Sequence, residues 1–200
     1  MPEEANPQDL KDRLDLIENM IAQGRRTTES WGWIFVLWGV AYYVAILWAA
    51  HGGPAVAWPV TMLAAAIVSG LIASRQARNQ PMTTVGHAIR SIWIAMGIAL
   101  FALLVSLGWS GNISDVRVAI AIVAAMLGVA NLASGLLLRW KAQIGSGLMW
   151  LAAAVAVCFV AENLVMPIFV AAIFLCQILF GVYGMVCEAR ARKIRGASHA

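Results

Sequence analysis

Apolar residues along the chain come in six long runs that are separated by short polar segments. The runs cover residues 31–50, 55–74, 91–109, 116–138, 144–161 and 165–187. An α-helix needs about 20 mostly apolar residues to cross the hydrocarbon core of a bilayer. None of the runs carries the polar face that a helix of a soluble bundle turns toward water. The pattern therefore predicts an all-α integral membrane protein with six transmembrane helices.

The connections between the runs predict three consecutive hairpins. The links at residues 51–54, 110–115 and 162–163 are short, so each joins two neighbouring antiparallel helices. The second helices of the first two hairpins end alike, with SGLIASR at 69–75 and SGLLLR at 134–139, while the sixth run offers FGVYG at 180–184. We interpret this as one hairpin unit used three times, which favours a bundle with rough threefold pseudosymmetry.

The composition agrees with a membrane protein. Hydrophobic residues make up 62% of the 200 residues, charged residues make up 12%, and the mean hydropathy is +0.79. A soluble domain is about 45–50% apolar and about 25% charged. The net charge of +4 does not indicate a nucleic-acid partner, because the cations fall between the apolar runs rather than on one face.

The basic residues predict the orientation. If the spans alternate, all cations except Arg117 fall on one side of the membrane. The cations on that side are Lys11, Arg13, Arg25, Arg26, Arg75, Arg78, Arg90, Arg139, Lys141, Arg190, Arg192, Lys193 and Arg195. The positive-inside rule places that side in the cytoplasm. We therefore expect a cytoplasmic segment at 1–29, a six-helix domain at 30–188 and a basic cytoplasmic tail at 189–200.

The stretch Arg139-Trp140-Lys141 is predicted to be a tight cytoplasmic turn that anchors the bundle at the membrane interface. Its two cations stay in water, and the Trp140 ring is expected at the headgroup level, because an indole combines an apolar ring with a polar N–H group.

Residues 7–23 predict a short amphipathic helix ahead of the first span. Leu10, Leu14, Ile17 and Ile21 recur at spacings of four, three and four, which places them on one apolar face, here called the N-terminal seam. The sequence leaves three alternatives for the surface that this seam contacts. It can dock on the cytoplasmic end of its own or a neighbouring bundle, pair with a second copy as a short heptad, or lie on the lipid surface.

The sequence offers little catalytic chemistry. The middles of all six runs lack Asp, Glu, Lys and Arg, and no HExxH, GxSxG, CxxC or Walker-type motif occurs. Cys158, Cys176 and Cys187 lie at different depths, so they predict neither a disulfide framework nor a metal site. We therefore expect no catalytic residue, no cofactor and no metal, and a protein that is not an enzyme.

Four polar side chains lie deep in the predicted spans: Asn131, Gln177, Tyr42 and Tyr43. One interpretation is hydrogen bonding between helices, worth about 1 kcal/mol for each bond. The other is a small polar pocket for a neutral or lipid-like ligand.

Three motifs resemble a group of uncharacterised six-span bacterial inner-membrane proteins with an amphipathic N-terminal helix and a Leu-Trp-Gly-type first span. They are SWGWIFVLWGV at 30–40, WIAMGI at 93–98 and ANLASGLLLRWKAQIGSG at 130–147. The resemblance implies a bacterial origin and this six-span topology, and it transfers no reaction, ligand or site residue.

Together these patterns favour a multi-pass protein of the bacterial cytoplasmic membrane with both termini in the cytoplasm. The expected role is that of a non-enzymatic module that binds membrane lipids, a second copy of itself or a partner membrane protein. The alternative is a small carrier or channel for a neutral or amphiphilic solute.

Overall fold

The computed structural model describes residues 8, 11, 13–16, 18–19, 31–52, 57–77, 84–111 and 115–197. These residues include six helices that are long and apolar enough to span a membrane, and the described part contains no strand, so the predicted fold class is confirmed. The helices are α1 (Gly32–Ala50), α2 (Ala57–Ala77), α3 (Thr84–Trp109), α4 (Val116–Leu137), α5 (Lys141–Phe159) and α6 (162–197).

The last helix has an irregular middle. Its α-helical parts, Glu162–Ile173 and Phe180–Ala197, are joined without a break by a π-helical segment, Phe174–Leu179. Helix α6 thus continues beyond the predicted sixth span and through most of the predicted tail. The wider π turn places Cys176 and Gln177 next to each other on the buried side of the helix.

The N-terminal seam is mostly outside the described residues. Leu10, Ile17 and Ile21 belong to the part of the chain that the structure does not describe. Leu14 is described, and its side chain is exposed.

The core of the bundle lies among α1, α4, α5 and α6. Its central cluster includes the rings of Tyr42, Trp150 and Phe169. A second cluster, at the end of the bundle that holds the turn between α4 and α5, includes Phe35, Ile89, Leu138, Trp140 and Phe180. We call this the basic end, because Arg75, Arg139, Lys141 and Arg190 also lie there.

Two helix pairs approach so closely that a side chain would not fit between them. A Cβ atom on Gly147 of α5 would lie 2.6 Å from the backbone nitrogen of Leu132 on α4. Similarly, a Cβ atom on Gly32 of α1 would lie 2.5 Å from the carbonyl oxygen of Gly181 on α6. Such close approach gives the van der Waals contact that drives helix association in lipid.

The three predicted hairpins are present, but their packing is unequal. Helices α4 and α5 pack against each other most extensively, and α1 packs against α6, whereas α2 and α3 barely touch within the described residues. In the repeated Ser-Gly motif, Gly135 lies against Ile144 of α5, but the corresponding Gly70 faces open space. Helices α2 and α3 therefore form the edges of the bundle.

Candidate functional site

The turn between α4 and α5 depends on one left-handed residue. Arg139 has a φ of +50°, which reverses the chain. The backbone N–H of Trp140 then donates to the carbonyl oxygen of Gly135 at 2.9 Å, so the last carbonyls of α4 are satisfied as in a Schellman-type end. Helix α5 begins at the next residue.

Trp140 is buried beside the basic turn. Trp140 is only 3% exposed and its ring lies 5.2 Å from the Phe180 ring of α6, so it packs inside the bundle. The position of the ring at the headgroup level stays a prediction. Arg139 and Lys141 are exposed, as expected for interface cations.

An open groove of about 330 Å³ runs along the outer side of α5 and α6. Its lining is almost entirely apolar and consists of Ala142, Gly145, Ser146, Met149, Leu175, Cys176, Leu179, Phe180 and Tyr183. The groove opens sideways, toward the space that lipid occupies around a membrane-spanning bundle. We refer to it as the α5–α6 groove.

The length and position of the groove follow from the helix register. Ala142 and Met149 mark its ends on α5, a distance of about 10 Å at 1.5 Å per residue. Ala142 immediately follows the basic turn, so the groove starts at the basic end and extends toward the middle of the bundle. This is most of one leaflet, since the whole hydrocarbon core is about 30 Å thick.

Two cations lie on the groove's side of the bundle, one at the end near the basic turn and one further out along α6. Lys141 is exposed and lies four residues before Gly145, which places both on the same side of α5. Arg190 is exposed and lies seven residues after Tyr183, on the same side of α6 but about 10 Å beyond the groove. Glu188 is half-buried, and its position five residues after Tyr183 puts it on a different side.

The floor of the groove separates it from the bundle interior. The Ser146 hydroxyl donates to the Cys176 carbonyl oxygen at 3.5 Å, and the Cys176 thiol donates to the Ser146 carbonyl oxygen at 3.6 Å. These two long hydrogen bonds join α5 to α6 at the π segment.

Behind this floor lies a set of buried polar side chains from three helices, which we call the polar layer: Asn131 and Ser134 of α4, Gln143 and Ser146 of α5, and Gln177 of α6. Asn131 and Gln143 are 0% exposed, and Gln177 is 2% exposed. Fully buried amides are uncommon unless they have hydrogen-bond partners.

The register of the helices brings the polar layer together. Gly147 of α5 lies against Leu132 of α4, and Ser146 is bonded to Cys176 of α6. At 1.5 Å per residue, these contacts place the layer's members on α4 and α6 within about one turn of Ser146 along the bundle axis. Gln143 lies about one turn closer to the basic end.

Most polar atoms of the layer lack a protein partner. The Asn131 side-chain nitrogen donates to the Leu127 carbonyl oxygen at 2.9 Å. The Asn131 and Gln177 side-chain oxygens, the Ser134 hydroxyl and both polar atoms of the Gln143 amide have none, nor does the nearby Trp150 indole N–H. These atoms are therefore buried without a protein hydrogen-bond partner.

The two tyrosines of the predicted pocket lie at another level. The Tyr43 hydroxyl donates to the Val170 carbonyl oxygen at 3.0 Å, and the Tyr42 ring lies 6.0 Å from the Phe169 ring. Gln177 lies seven residues after Val170, which is about 10 Å further along α6. The structure thus groups Asn131 and Gln177 in the polar layer and places the tyrosines elsewhere.

Sequence reasoning missed Ser134 and Gln143. Ser134 lies three residues after Asn131 and so shares its helix face, a signal that was present in the spacing. Gln143 fell just before the predicted start of the fifth span and so counted as a turn residue, whereas α5 begins at Lys141.

Arg117, the exception in the charge pattern, caps a helix at the end of the bundle opposite the basic turn. Its guanidinium donates to the carbonyl oxygens of Val157 at 3.0 Å and Val160 at 2.9 Å, where α5 ends. Asp115 lies 3.7 Å from it and also caps α4 by accepting from the Arg117 backbone N–H. The positive charge is therefore offset by a carboxylate and by helix-end carbonyls.

Among the described residues, no group of three or more His, Cys, Asp or Glu side chains is placed to hold a metal ion. Comparisons of the chain with protein-family models, with curated proteins and with solved structures find no match. The resemblance to six-span bacterial proteins accordingly remains a prediction.

Proposed function

We propose that the chain is a non-enzymatic module of the bacterial cytoplasmic membrane that binds an anionic phospholipid of the inner leaflet. One acyl chain would occupy the α5–α6 groove, with the headgroup at Lys141 and with Arg190 further out on the same side of α6. The observation that supports this proposal is an apolar groove, spanning most of one leaflet, whose outer end carries the exposed Lys141, with the exposed Arg190 further out on the same side.

The headgroup provides the selectivity in this proposal. An acyl chain gains little apolar burial on leaving the bilayer for a protein groove, since lipid tails are as apolar as the groove lining. Each Lys or Arg near an anionic leaflet contributes about 1 kcal/mol of attraction. Lys141 at the groove end and Arg190 further out on the same side therefore favour a phosphate-bearing anionic lipid over a zwitterionic lipid of the same chain length.

Gly145 gives a direct test, because it lines the groove and a Cβ atom there would meet nothing within 4 Å. We expect Gly145→Leu to fill the groove and reduce retention of phosphatidylglycerol and phosphatidylcholine alike, measured by native mass spectrometry of the purified protein. Gly97→Leu is the matched control, since Gly97 of α3 also faces open space. Equal lipid retention by the two variants would contradict the proposal.

The same measurement tests the cations. Replacing both Lys141 and Arg190 by Gln removes about 2 kcal/mol of attraction, or roughly thirtyfold in affinity, for phosphatidylglycerol only. Arg75→Gln, an exposed cation of α2 at the same end, should leave the preference for the anionic lipid unchanged. If Arg75→Gln abolishes the preference for the anionic lipid and the double substitution does not, the headgroup does not bind at Lys141 and Arg190.

A further inference from the structure

We infer that Tyr183 is the group of α6 that holds the headgroup of a lipid in the α5–α6 groove. Its hydroxyl donates a hydrogen bond to a phosphate oxygen of the lipid, while Lys141 of α5 supplies the positive charge. This contact rests on the lipid binding proposed above. It adds a determinant that anionic and zwitterionic phospholipids share, because both carry a phosphate.

The register of the two helices places Tyr183 at the mouth of the groove. Ser146 and Cys176 are hydrogen-bonded to each other and so lie at one level of the bundle. Toward the basic end, Lys141 lies five residues from Ser146, and Tyr183 lies seven residues from Cys176. At about 1.5 Å per residue, Tyr183 and Lys141 are separated by only about 3 Å along the bundle axis.

A ring contact at the same end agrees with this register. The Phe180 ring lies 5.2 Å from the Trp140 ring, and Lys141 follows Trp140 directly. Tyr183 follows Phe180 by three residues, which is just under one turn of α6. Phe180 and Tyr183 both line the groove, and Tyr183 is the lining residue of α6 that lies nearest the basic end.

The chemistry of a tyrosine suits this position. Tyr183 is 47% exposed, so it combines packing in the groove with access to the surroundings of the bundle. Tyrosine prefers the boundary between hydrocarbon and headgroups, because its ring is apolar and its hydroxyl can donate a hydrogen bond. A phosphate oxygen is an ionised acceptor, and such acceptors form stronger hydrogen bonds than neutral ones.

Tyr183 and Lys141 should differ in the lipids that they select. Lys141 attracts net negative charge, whereas the uncharged Tyr183 hydroxyl binds the phosphate of any phospholipid. We expect Tyr183→Phe to weaken the binding of phosphatidylglycerol and phosphatidylcholine equally, roughly tenfold, since a hydrogen bond to a charged group is lost. Diacylglycerol has no phosphate, so its binding should not change.

Native mass spectrometry of the purified protein with each of the three lipids measures these affinities. Tyr43→Phe is the matched control, because the Tyr43 hydroxyl donates to the Val170 carbonyl oxygen rather than to the groove. This control should bind all three lipids as the unsubstituted protein does.

Solid-state NMR gives a direct readout of the contact. The chain has three tyrosines, so ¹³C at the ring carbon that bears the hydroxyl gives three signals. In phosphatidylglycerol bilayers and phosphate-free buffer, we expect dipolar coupling to lipid ³¹P at Tyr183 and not at Tyr42 or Tyr43. Gly145→Leu fills the groove and should abolish this coupling. Coupling that persists in Gly145→Leu would come from the surrounding bilayer and would overturn the inference.

The variants separate failure of this contact from failure of the proposed function. If Gly145→Leu retains as much lipid as Gly97→Leu, the groove does not bind lipid and both proposals are wrong. If Gly145→Leu loses lipid but Tyr183→Phe binds both phospholipids normally, only the role of Tyr183 is wrong. The same holds if Tyr183→Phe weakens diacylglycerol binding as much as phospholipid binding, because the phosphate is then not the acceptor.

Discussion

At the scale of single residues, Arg117 is the one cation that the predicted topology places on the side opposite the others, and the structure gives it a local role there. The last carbonyls of α5 have no N–H partners within the helix, and the Arg117 guanidinium supplies them from the neighbouring hairpin. Part of its charge is also balanced by Asp115. The residue therefore links α4 to α5 at the end opposite the basic turn.

We expect Arg117→Leu to lower the free energy of unfolding by about 1–3 kcal/mol, because it leaves partly buried helix-end carbonyls without donors. Thermal or denaturant unfolding in detergent micelles would measure the loss. Arg75→Leu serves as the control, since Arg75 is exposed at the end of α2. If both variants lose the same stability, the capping bonds of Arg117 contribute nothing specific.

At the scale of helices, apolar runs were enough to predict the elements but not their ends. All six spans follow from composition, because nothing but lipid can surround such runs. The ends depend on local geometry that hydropathy does not contain. The left-handed Arg139 starts α5 three residues before the predicted span, and α6 continues as a polar helix beyond it.

The candidate site was predictable only in part for the same reason. Asn131 and Gln177 stand out as polar residues in apolar runs, so the sequence identified them. Their grouping with Ser134 and Gln143 depends on which helices touch, and the π turn that orients Gln177 depends on packing rather than on any residue pattern. Tyr42 and Tyr43 also stand out as polar residues in an apolar run, yet they pack against Phe169 and Val170, further from the basic end than Gln177.

Two neighbouring glycines of α5 offer a matched test of the helix packing. Gly147→Val should destabilise the protein by about 1–3 kcal/mol, since its side chain would press on the backbone of Leu132. Gly145→Val should have little effect, because its side chain points into the open groove. The measurement is the unfolding temperature of each variant, and equal shifts would mean that α4 and α5 are not packed as described.

At the scale of the whole molecule, the six helices bring both ends of the membrane domain to the same side. Gly32 at the start of α1 touches Gly181 in the last helix, and the basic turn lies beside them. The exposed cations Arg139, Lys141 and Arg190 gather at this end. The positive-inside rule predicts that this end faces the cytoplasm.

Reporter fusions test this orientation. A phosphatase or fluorescent reporter joined after Arg139 should report a cytoplasmic position, and one joined after Gly111 should report the opposite side. The reason is that α4 crosses the membrane between the two points. Fusions after Arg75 and Ser110 give the matching controls, and finding the reporters after Arg139 and Gly111 on one side would refute the topology.

The close contact between α4 and α5 joins two different hairpins, and that between α1 and α6 joins the first helix to the last. During synthesis, a chain that has been made only as far as α4 exposes Gly128 and Gly135 to lipid, where no other helix is yet available to cover them. The contact of α1 with α6 must wait even longer, until α6 has left the ribosome. The contacts that join the hairpins can therefore form only after α5 and α6 have been made, whereas α1 can pack on α2 within the first hairpin before then.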